Sequence, residues 1–182
     1  MSDTWVGEIL HFWFHEIARE AWFRSGDDLD RRLRERFLER QAHVASLALA
    51  ACTGNAPTAL AAVIALDQFP RNMFRGTLRA FATDAKAREV AEAAIRRSFD
   101  RALSKDQRMF LYLPFEHAED KAAQARAVEL MASLDDAELV RYALAHKEII
   151  DRFGRFPHRN AILGRTSTAE EAAFLALPGS GF

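Results

Sequence analysis

The chain has 182 residues, of which 49% are hydrophobic and 28% are charged, and its formal net charge at pH 7 is −1. This length allows one domain with a substantial core, and so small a net charge provides no overall attraction to nucleic acid or to an acidic membrane. With only eight glycines and five prolines the composition argues against a turn-rich β-sandwich and favours helices. The single cysteine, Cys52, excludes an internal disulfide and a multi-cysteine zinc site.

The amino-terminal segment MSDTWVGEILHFWFHEI does not have the features of a secretory signal. It is apolar, but it contains acidic residues and histidines and lacks a basic start and a small-residue cleavage site. No apolar run approaches the length of a membrane span. Together with the single cysteine, these features predict a cytoplasmic protein with neither a nucleic-acid nor a membrane partner.

Hydrophobic periodicity predicts helices along the first part of the chain. The first predicted helix runs from about residue 3 to residue 20, and a long second helix follows the SGDD break at 25–28. The turn TGNAP (53–57) precedes a third helix that is apolar on all sides as far as Asp67. Phe69 precedes Pro70 and is therefore expected to end or kink this helix.

Capping signals predict further helices in the rest of the chain. Thr83 and Asp84 open a fourth helix, and Ser104 to Gln107 form a capping box before the short helix RMFLYL. A sixth helix follows PFEHAED, a seventh ends at Gly154, and STAE (167–170) is expected to form another capping box. With no strand pattern, we predict one all-α domain, residues 1–182, of about seven to nine helices in antiparallel hairpins.

One short pattern occurs twice. DQFPRN (67–72) and GRFPHRN (154–160) both contain Phe-Pro followed by Arg-Asn, and each begins a stretch of arginines without acidic residues. Arginine and asparagine donate hydrogen bonds that suit a carboxylate or a phosphate, so these segments are candidates for an anion pocket. Alternatively, Phe-Pro fills the core and the arginines pair with acidic residues elsewhere in the chain. This alternative is favoured because most arginines in proteins are structural or exposed to solvent.

A second concentration of polar residues is YLPFEHAED (112–120), where Glu116, Glu119 and Asp120 surround His117. On one helix, Glu116 and Asp120 would share a face and repel each other, so we expect a positive group nearby. The arginines of the two Phe-Pro segments are the first choice and a metal ion the second. Because the spacing matches no recognised metal motif, we predict neither a metal ion nor a cofactor.

Two pairs of residues with helical spacing add candidates. His146 follows Tyr142 by four residues, and a buried histidine with a pKa near neutrality would be a general base. The alternative is a core histidine with a hydrogen-bonded ring. His11 and His15 have the same spacing, which can hold a metal ion, but they lie among core aromatics.

The longest motifs resemble one family. LDQFPRNMFRGTLRAFATDAKAREVA, FLYLPFEHAED, HKEIIDRFGRFPHRNAILGR and FLALPGSGF are similar, in this order, to the bacterial and fungal domain-of-unknown-function nine-two-four family over nearly the whole chain. The resemblance implies a tetratricopeptide-like, right-handed superhelix in which these segments line one surface. It implies no reaction, substrate or cofactor.

Three functions follow as hypotheses. The first is a scaffold that binds a protein, a peptide or a small anion; the second is an enzyme on a small anionic substrate; in the third, the arginine–carboxylate network is purely structural. The catalytic candidates are Glu116, His117 and His146. The ligand-binding candidates are Asp67, Arg71, Asn72, Arg75, Asp120, Phe156, His158, Arg159 and Asn160. The sequence makes no prediction of oligomeric state.

Overall fold

The computed structural model describes residues 4–24 and 26–179, and all the regular secondary structure in these ranges is helical. The α-helices are, in chain order, α1 (Thr4–His11), α2 (Asp27–Ser46), α3 (Leu49–Cys52), α4 (Ala56–Val63), α5 (Phe69–Met73), α6 (Asp84–Arg96), α7 (Lys105–Glu116), α8 (Lys121–Ala132), α9 (Ala137–Phe153) and α10 (Ala169–Leu175). π-Helical turns span Phe12–Glu16 and Ile64–Gln68, and 3₁₀ turns span Arg19–Ala21, Leu78–Phe81, Phe99–Ala102 and Pro157–Arg159. The protein is all-α, as predicted.

The helices form two compact units. The first lies within residues 1–75 and 79–114, and the second within residues 76–78 and 115–182. Within the described ranges, none of the helices combines the length and the apolar character that a membrane span requires. The predicted first helix ends earlier than expected, at Glu16, and its predicted start at residue 3 and Ser25 of the SGDD break lie outside the described residues.

The core of the first unit is aromatic. The ring centroid of Trp13 lies 5.8 Å from that of Phe69 and 5.5 Å from that of Phe110, and Phe37 lies 5.1 Å from Phe69. All four side chains are buried. Since large aromatic rings bury much apolar area, this contact group contributes a large share of the core of the first unit.

Phe69 does not end the helical path, which was one of the two outcomes expected of it, and whether it kinks the helix stays a prediction. The chain passes from α4 through the π-helical turn Ile64–Gln68 directly into α5, and Phe69 has helical angles, φ −61° and ψ −45°. Phe69 donates its N–H to the carbonyl of Ile64, five residues earlier. This shift of hydrogen-bond register places Pro70 in the first turn of α5, where its missing N–H is tolerated.

Predicted caps set several helix ends. Ser104 N–H donates to Gln107 Oε1 at 3.0 Å and Gln107 N–H donates to Ser104 Oγ at 3.4 Å, which completes the predicted capping box. Gly154, with φ 71°, ends α9 as predicted. The last capping box is displaced by one residue from the prediction, because it joins Thr168 to Glu171.

Lys86 of α6 caps the end of α2. Its ammonium donates to the carbonyl oxygens of Val44 (3.3 Å), Ala45 (2.6 Å) and Leu47 (2.5 Å). A cation at this end of a helix satisfies terminal carbonyls and interacts favourably with the helix dipole.

We therefore expect Lys86→Met to lower the free energy of unfolding by about 1–2 kcal/mol. Urea denaturation measures this loss, and Lys86→Arg, which keeps the charge, should lose less. An unchanged midpoint in Lys86→Met would show that solvent replaces the ammonium without a penalty.

Candidate functional site

Among the described residues, both units contain buried polar side chains, and two clusters include most of the candidates from the sequence. The aspartate–arginine cluster of the first unit comprises Asp30, Asp67, Gln68, Arg71, Asn72, Arg75 and Asp84. The histidine cluster of the second unit comprises Glu116, His117, His146, Phe156, His158 and Arg159. Asp67 is fully buried, and Glu116, His146 and Arg159 are nearly so. Because charged side chains are seldom buried without partners, the contacts of these groups decide what each cluster can do.

Arg71 is the centre of the aspartate–arginine cluster. Its guanidinium lies 3.2 Å from Asp67 Oδ1 and donates two hydrogen bonds to Asp84, at 2.8 and 2.9 Å. Gln68 donates to the other oxygen of Asp67 at 2.7 Å. Burial alone would lower the pKa of Arg71, but the two carboxylates outweigh it and raise the pKa above its ordinary value.

Arg75 is held in a similar way. It donates two hydrogen bonds of 2.9 Å to the carboxylate of Asp30 and one of 3.1 Å to Asn72 Oδ1. Asn72 in turn donates to the carbonyl of Gln68 at 2.9 Å. Arg71 of the first Phe-Pro segment and Arg75 just after it thus pair with carboxylates of their own unit, as the structural hypothesis requires. Their predicted ligand-binding role stays a prediction.

The prediction that Glu116 and Asp120 share a helix face is wrong. α7 continues through Pro114 and ends at Glu116, whereas Asp120 caps α8 by accepting the N–H of Ala123 at 2.7 Å. Gln124 stabilises this break by donating to the carbonyls of Glu116, at 2.6 Å, and of Ala118, at 2.8 Å. A side chain eight residues beyond the helix end therefore satisfies the terminal carbonyl.

Each acidic residue of PFEHAED has its own partner in the second unit. Glu116 Oε1 lies 3.1 Å from His146 Nδ1. Glu119 accepts two hydrogen bonds from Arg165, at 2.6 and 2.8 Å, and the N–H of Phe156 at 2.7 Å. Burial raises the pKa of Glu119, but these donors outweigh it and lower the pKa below its ordinary value. The expected repulsion is thus relieved by separate contacts.

Arg155 and Asn160 belong to a network around Glu171. Arg155 donates to the two carboxylate oxygens of Glu171 at 2.6 and 2.9 Å, and Asn160 Nδ2 donates to it at 3.3 Å. Asn160 Oδ1 accepts from Arg165 at 3.0 Å. The hydrogen bond from Arg155, followed by the N–H of Thr168, lowers the pKa of Glu171 to about 2. These contacts fold the segment after α9 onto α10.

His146 of α9 is buried, and its ring contacts two oxygen atoms. Its Nδ1 lies 2.9 Å from the carbonyl oxygen of Tyr142 as well as 3.1 Å from Glu116. Burial lowers the pKa of His146 to about 3, and the positive charges of His117, Arg159 and His158 act in the same direction. The structure therefore fits the alternative of a core histidine with a hydrogen-bonded ring, because burial penalises the charged imidazolium. The contact with Tyr142 is through its backbone, since its phenol ring is exposed.

The remaining members of the histidine cluster surround the ring of Phe156. The ring centroids of His146 and His158 lie 5.7 and 5.6 Å from that of Phe156, and the guanidinium of Arg159 lies 4.5 Å from it. The ring of His117 lies 6.4 Å from that of His146. The end of α7, α9 and the 3₁₀ turn Pro157–Arg159 therefore bring predicted catalytic and ligand-binding residues together.

The other candidates from the sequence lie elsewhere. The rings of His11 and His15 stack at 5.4 Å, and Glu8 pairs with Arg40 at 3.0 Å. In residues 4–24 and 26–179, no group of three or more His, Cys, Asp or Glu side chains is arranged to hold a metal ion. Cys52 is buried, and burial raises its pKa, which disfavours the nucleophilic thiolate.

Three residues of the second unit that contact predicted site residues were not among the candidates from the sequence. Gln124, Arg165 and Glu171 each hold a predicted residue in place but carry no motif of their own. The only local signals were the position of Arg165 in the acid-free stretch and that of Glu171 in a capping box.

Comparison with known proteins gives a family. The family described as bacterial protein of unknown function (DUF924) matches residues 9–179. The chain belongs to this family. It is also similar to a solved structure, that of the protein of unknown function ATU0120 from Agrobacterium tumefaciens, with 43% sequence identity, a TM-score of 0.90, and coverage of 95% of this chain and 97% of that one. No curated protein matches the chain. The solved neighbour shares the fold, and neither its title nor the family description names a function.

Proposed function

We propose that the second unit binds a small anionic ligand at the histidine cluster. The observation that carries this proposal is the gathering of a buried arginine and two histidines around Phe156, with His117 beside one of them, His146. Arg159 keeps its charge at every physiological pH, and a charge in a site with little water interacts more strongly with a ligand than it would in solution.

The position of Arg159 supports this choice. Its guanidinium lies over the face of Phe156, and the arginine is only 6% exposed, so little side-chain freedom remains to be lost when a ligand binds. His117 and His158 are half-buried, so the cluster also contains two ring donors that are partly accessible to solvent. A carboxylate or a phosphate accepts hydrogen bonds from groups of both kinds.

A peptide is one possible source of such an anion. The helices α8 and α9 pack together and are joined by four residues, and an antiparallel helix pair of this kind is the unit from which tetratricopeptide-like binding scaffolds are built. A peptide with an acidic carboxyl terminus would offer the histidine cluster the same carboxylate as a free acid. The proposal places this binding in the cytoplasm, and the single cysteine is compatible with a reducing compartment.

Titration calorimetry with inorganic phosphate, acetate and an acidic carboxyl-terminal peptide tests the proposal. We expect at least one probe to bind, and Arg159→Met to weaken that binding about tenfold to a hundredfold, since it removes a charged donor. Arg126→Met is the matched control, because the Arg126 side chain is 43% exposed and pairs with Glu129 on the surface.

Circular dichroism and urea denaturation establish that each variant is folded. His158→Gln, at a half-buried position, provides a second variant if Arg159→Met does not fold, and it should also weaken binding. The proposal is overturned if no probe binds the wild-type protein, or if binding is unchanged in a folded Arg159→Met variant.

The pair formed by Glu116 and His146 favours a second candidate function, an enzyme acting on a small anion. A buried carboxylate 3.1 Å from a buried imidazole is an arrangement used for proton transfer, with His117 as a further acid–base candidate. Hydrolysis of p-nitrophenyl phosphate and p-nitrophenyl acetate provides a first assay. Activity that disappears in Glu116→Gln would support the enzyme, and activity equal to the uncatalysed rate would count against it.

A further inference from the structure

Two histidines of the first unit lie side by side at its surface. His11 is the last residue of α1, His15 lies in the π-helical turn Phe12–Glu16, and their ring centroids are 5.4 Å apart. Both side chains are exposed, so dissolved ions can reach their ring nitrogens. π-Helical turns are rare and are often found at functional sites. The pair is therefore a candidate site that the proposed function does not use.

The core holds the backbone between these two histidines. Phe12 and Trp13 are fully buried, and the ring centroid of Phe12 lies 4.8 Å from that of Phe37 on α2. Since these aromatic side chains anchor the segment, the two exposed histidines, four residues apart, are neighbours on one face of it. Their spacing is fixed before any ligand binds, which lowers the entropic cost of binding.

The separation of the two rings suits a shared metal ion. Imidazole nitrogens coordinate zinc at about 2.0–2.1 Å, so two rings that coordinate one ion at a tetrahedral angle have centroids about 5 Å apart. The observed 5.4 Å is close to this value. The ring planes are 28° apart and must turn for their nitrogens to converge, which the broad χ2 torsion of histidine allows.

We propose that His11 and His15 chelate one divalent transition-metal ion, of the class of zinc, nickel and copper. Imidazole suits these ions, whereas magnesium and calcium prefer oxygen ligands. The neighbouring carboxylates, Glu8 and Glu16, are paired with arginines of α2. The protein therefore supplies two ligands, and water supplies the others. This site is independent of the proposed function, because it lies in the first unit and uses no residue of the histidine cluster.

Titration calorimetry of the full chain with zinc chloride and nickel chloride at neutral pH tests this site. We expect binding to become about tenfold or more weaker in His11→Gln and in His15→Gln, because losing a ligand costs at least as much as losing an outer-shell partner. His43→Gln, which changes an exposed histidine of α2, is the matched control and should bind as the wild-type protein does. Magnesium chloride should not bind at the pair, and magnesium binding that His11→Gln abolishes would overturn the assignment to a transition metal.

The single variants also distinguish chelation from independent binding. If the two imidazoles share one ion, either substitution removes most of the affinity, and the double variant His11→Gln/His15→Gln loses little more. If each imidazole binds its own ion, each single variant keeps one of two equal sites, which would overturn the proposal. Unchanged affinity in both single variants, with circular dichroism showing that they are folded, would overturn it as well, as would a wild-type protein that binds neither zinc nor nickel. The anion probes test the histidine cluster separately, so the failure of one proposal does not decide the other.

Discussion

Arg71→Met is expected to lower the free energy of unfolding by about 3–5 kcal/mol, the largest loss among the variants considered. Arg71 is the cation that faces both Asp67, which is fully buried, and Asp84. Methionine fills most of the same volume but leaves the Asp67 carboxylate without this charge, and stranding a buried charge is far more destabilising than losing a surface ion pair. Urea denaturation monitored by tryptophan fluorescence provides the measurement.

Two further variants serve for comparison, one at a surface arginine and one at a partner of Arg71. Arg31→Met removes an exposed arginine that pairs with the exposed Asp28, and we expect a loss of at most about 0.5 kcal/mol. Asp84→Asn should lower the free energy of unfolding less than Arg71→Met does, because Arg71 still pairs with Asp67. A loss below about 1 kcal/mol in Arg71→Met would contradict the prediction and show that Asp67 is compensated by other groups.

Acid should destabilise the protein through His146 by about 2–3 kcal/mol between pH 7 and pH 4.5. In the folded state, burial lowers the pKa of His146 to about 3. An unfolded chain has an ordinary histidine pKa near 6.5, so between these two values it binds a proton that the folded protein does not. The loss begins as the pH falls through 6.5 and is complete near pH 3.

The pH dependence of unfolding in His146→Phe isolates this effect, because most of the carboxylates that titrate in acid are common to both proteins. We expect the wild-type curve to fall more steeply than that of the variant below pH 6.5. His43→Gln, which changes an exposed histidine, should leave the wild-type curve unaltered. A wild-type stability that rises as the pH falls from 7 to 6 would indicate an imidazolium paired with Glu116, and would contradict the prediction.

Local chemistry in the sequence was enough to predict the helical class and several helix ends. Ser104 and Gln107 are three residues apart, and Gly154 directly follows the last residue of α9. Such signals can be read from the sequence because the interacting groups lie within one turn of each other. The sequence also provided the members of the histidine cluster as candidates, namely Glu116, His117, His146, Phe156, His158 and Arg159. It could not show which of these side chains contact each other.

The predictions of helix ends differ from the structure where residues distant in the sequence determine the local conformation. α7 ends at Glu116 because Gln124, on the next helix, satisfies its carbonyl. The helical path through Phe69 accompanies packing of that ring against Trp13, which is far away in the sequence. A proline rule or a helix-spacing rule considers only neighbours in the chain, so neither could predict these outcomes.

By itself, the sequence determined the all-α class, the helix caps and the residue types from which a site can be built, because these depend on periodicity and on contacts within a turn. Only the tertiary structure decided the partners of those residues. Arg165 reaches Glu119 across 46 residues of chain, and Arg75 reaches Asp30 across 45. It also decided that the pKa of His146 is lowered, since a pKa depends on burial and on nearby charges that no local pattern contains.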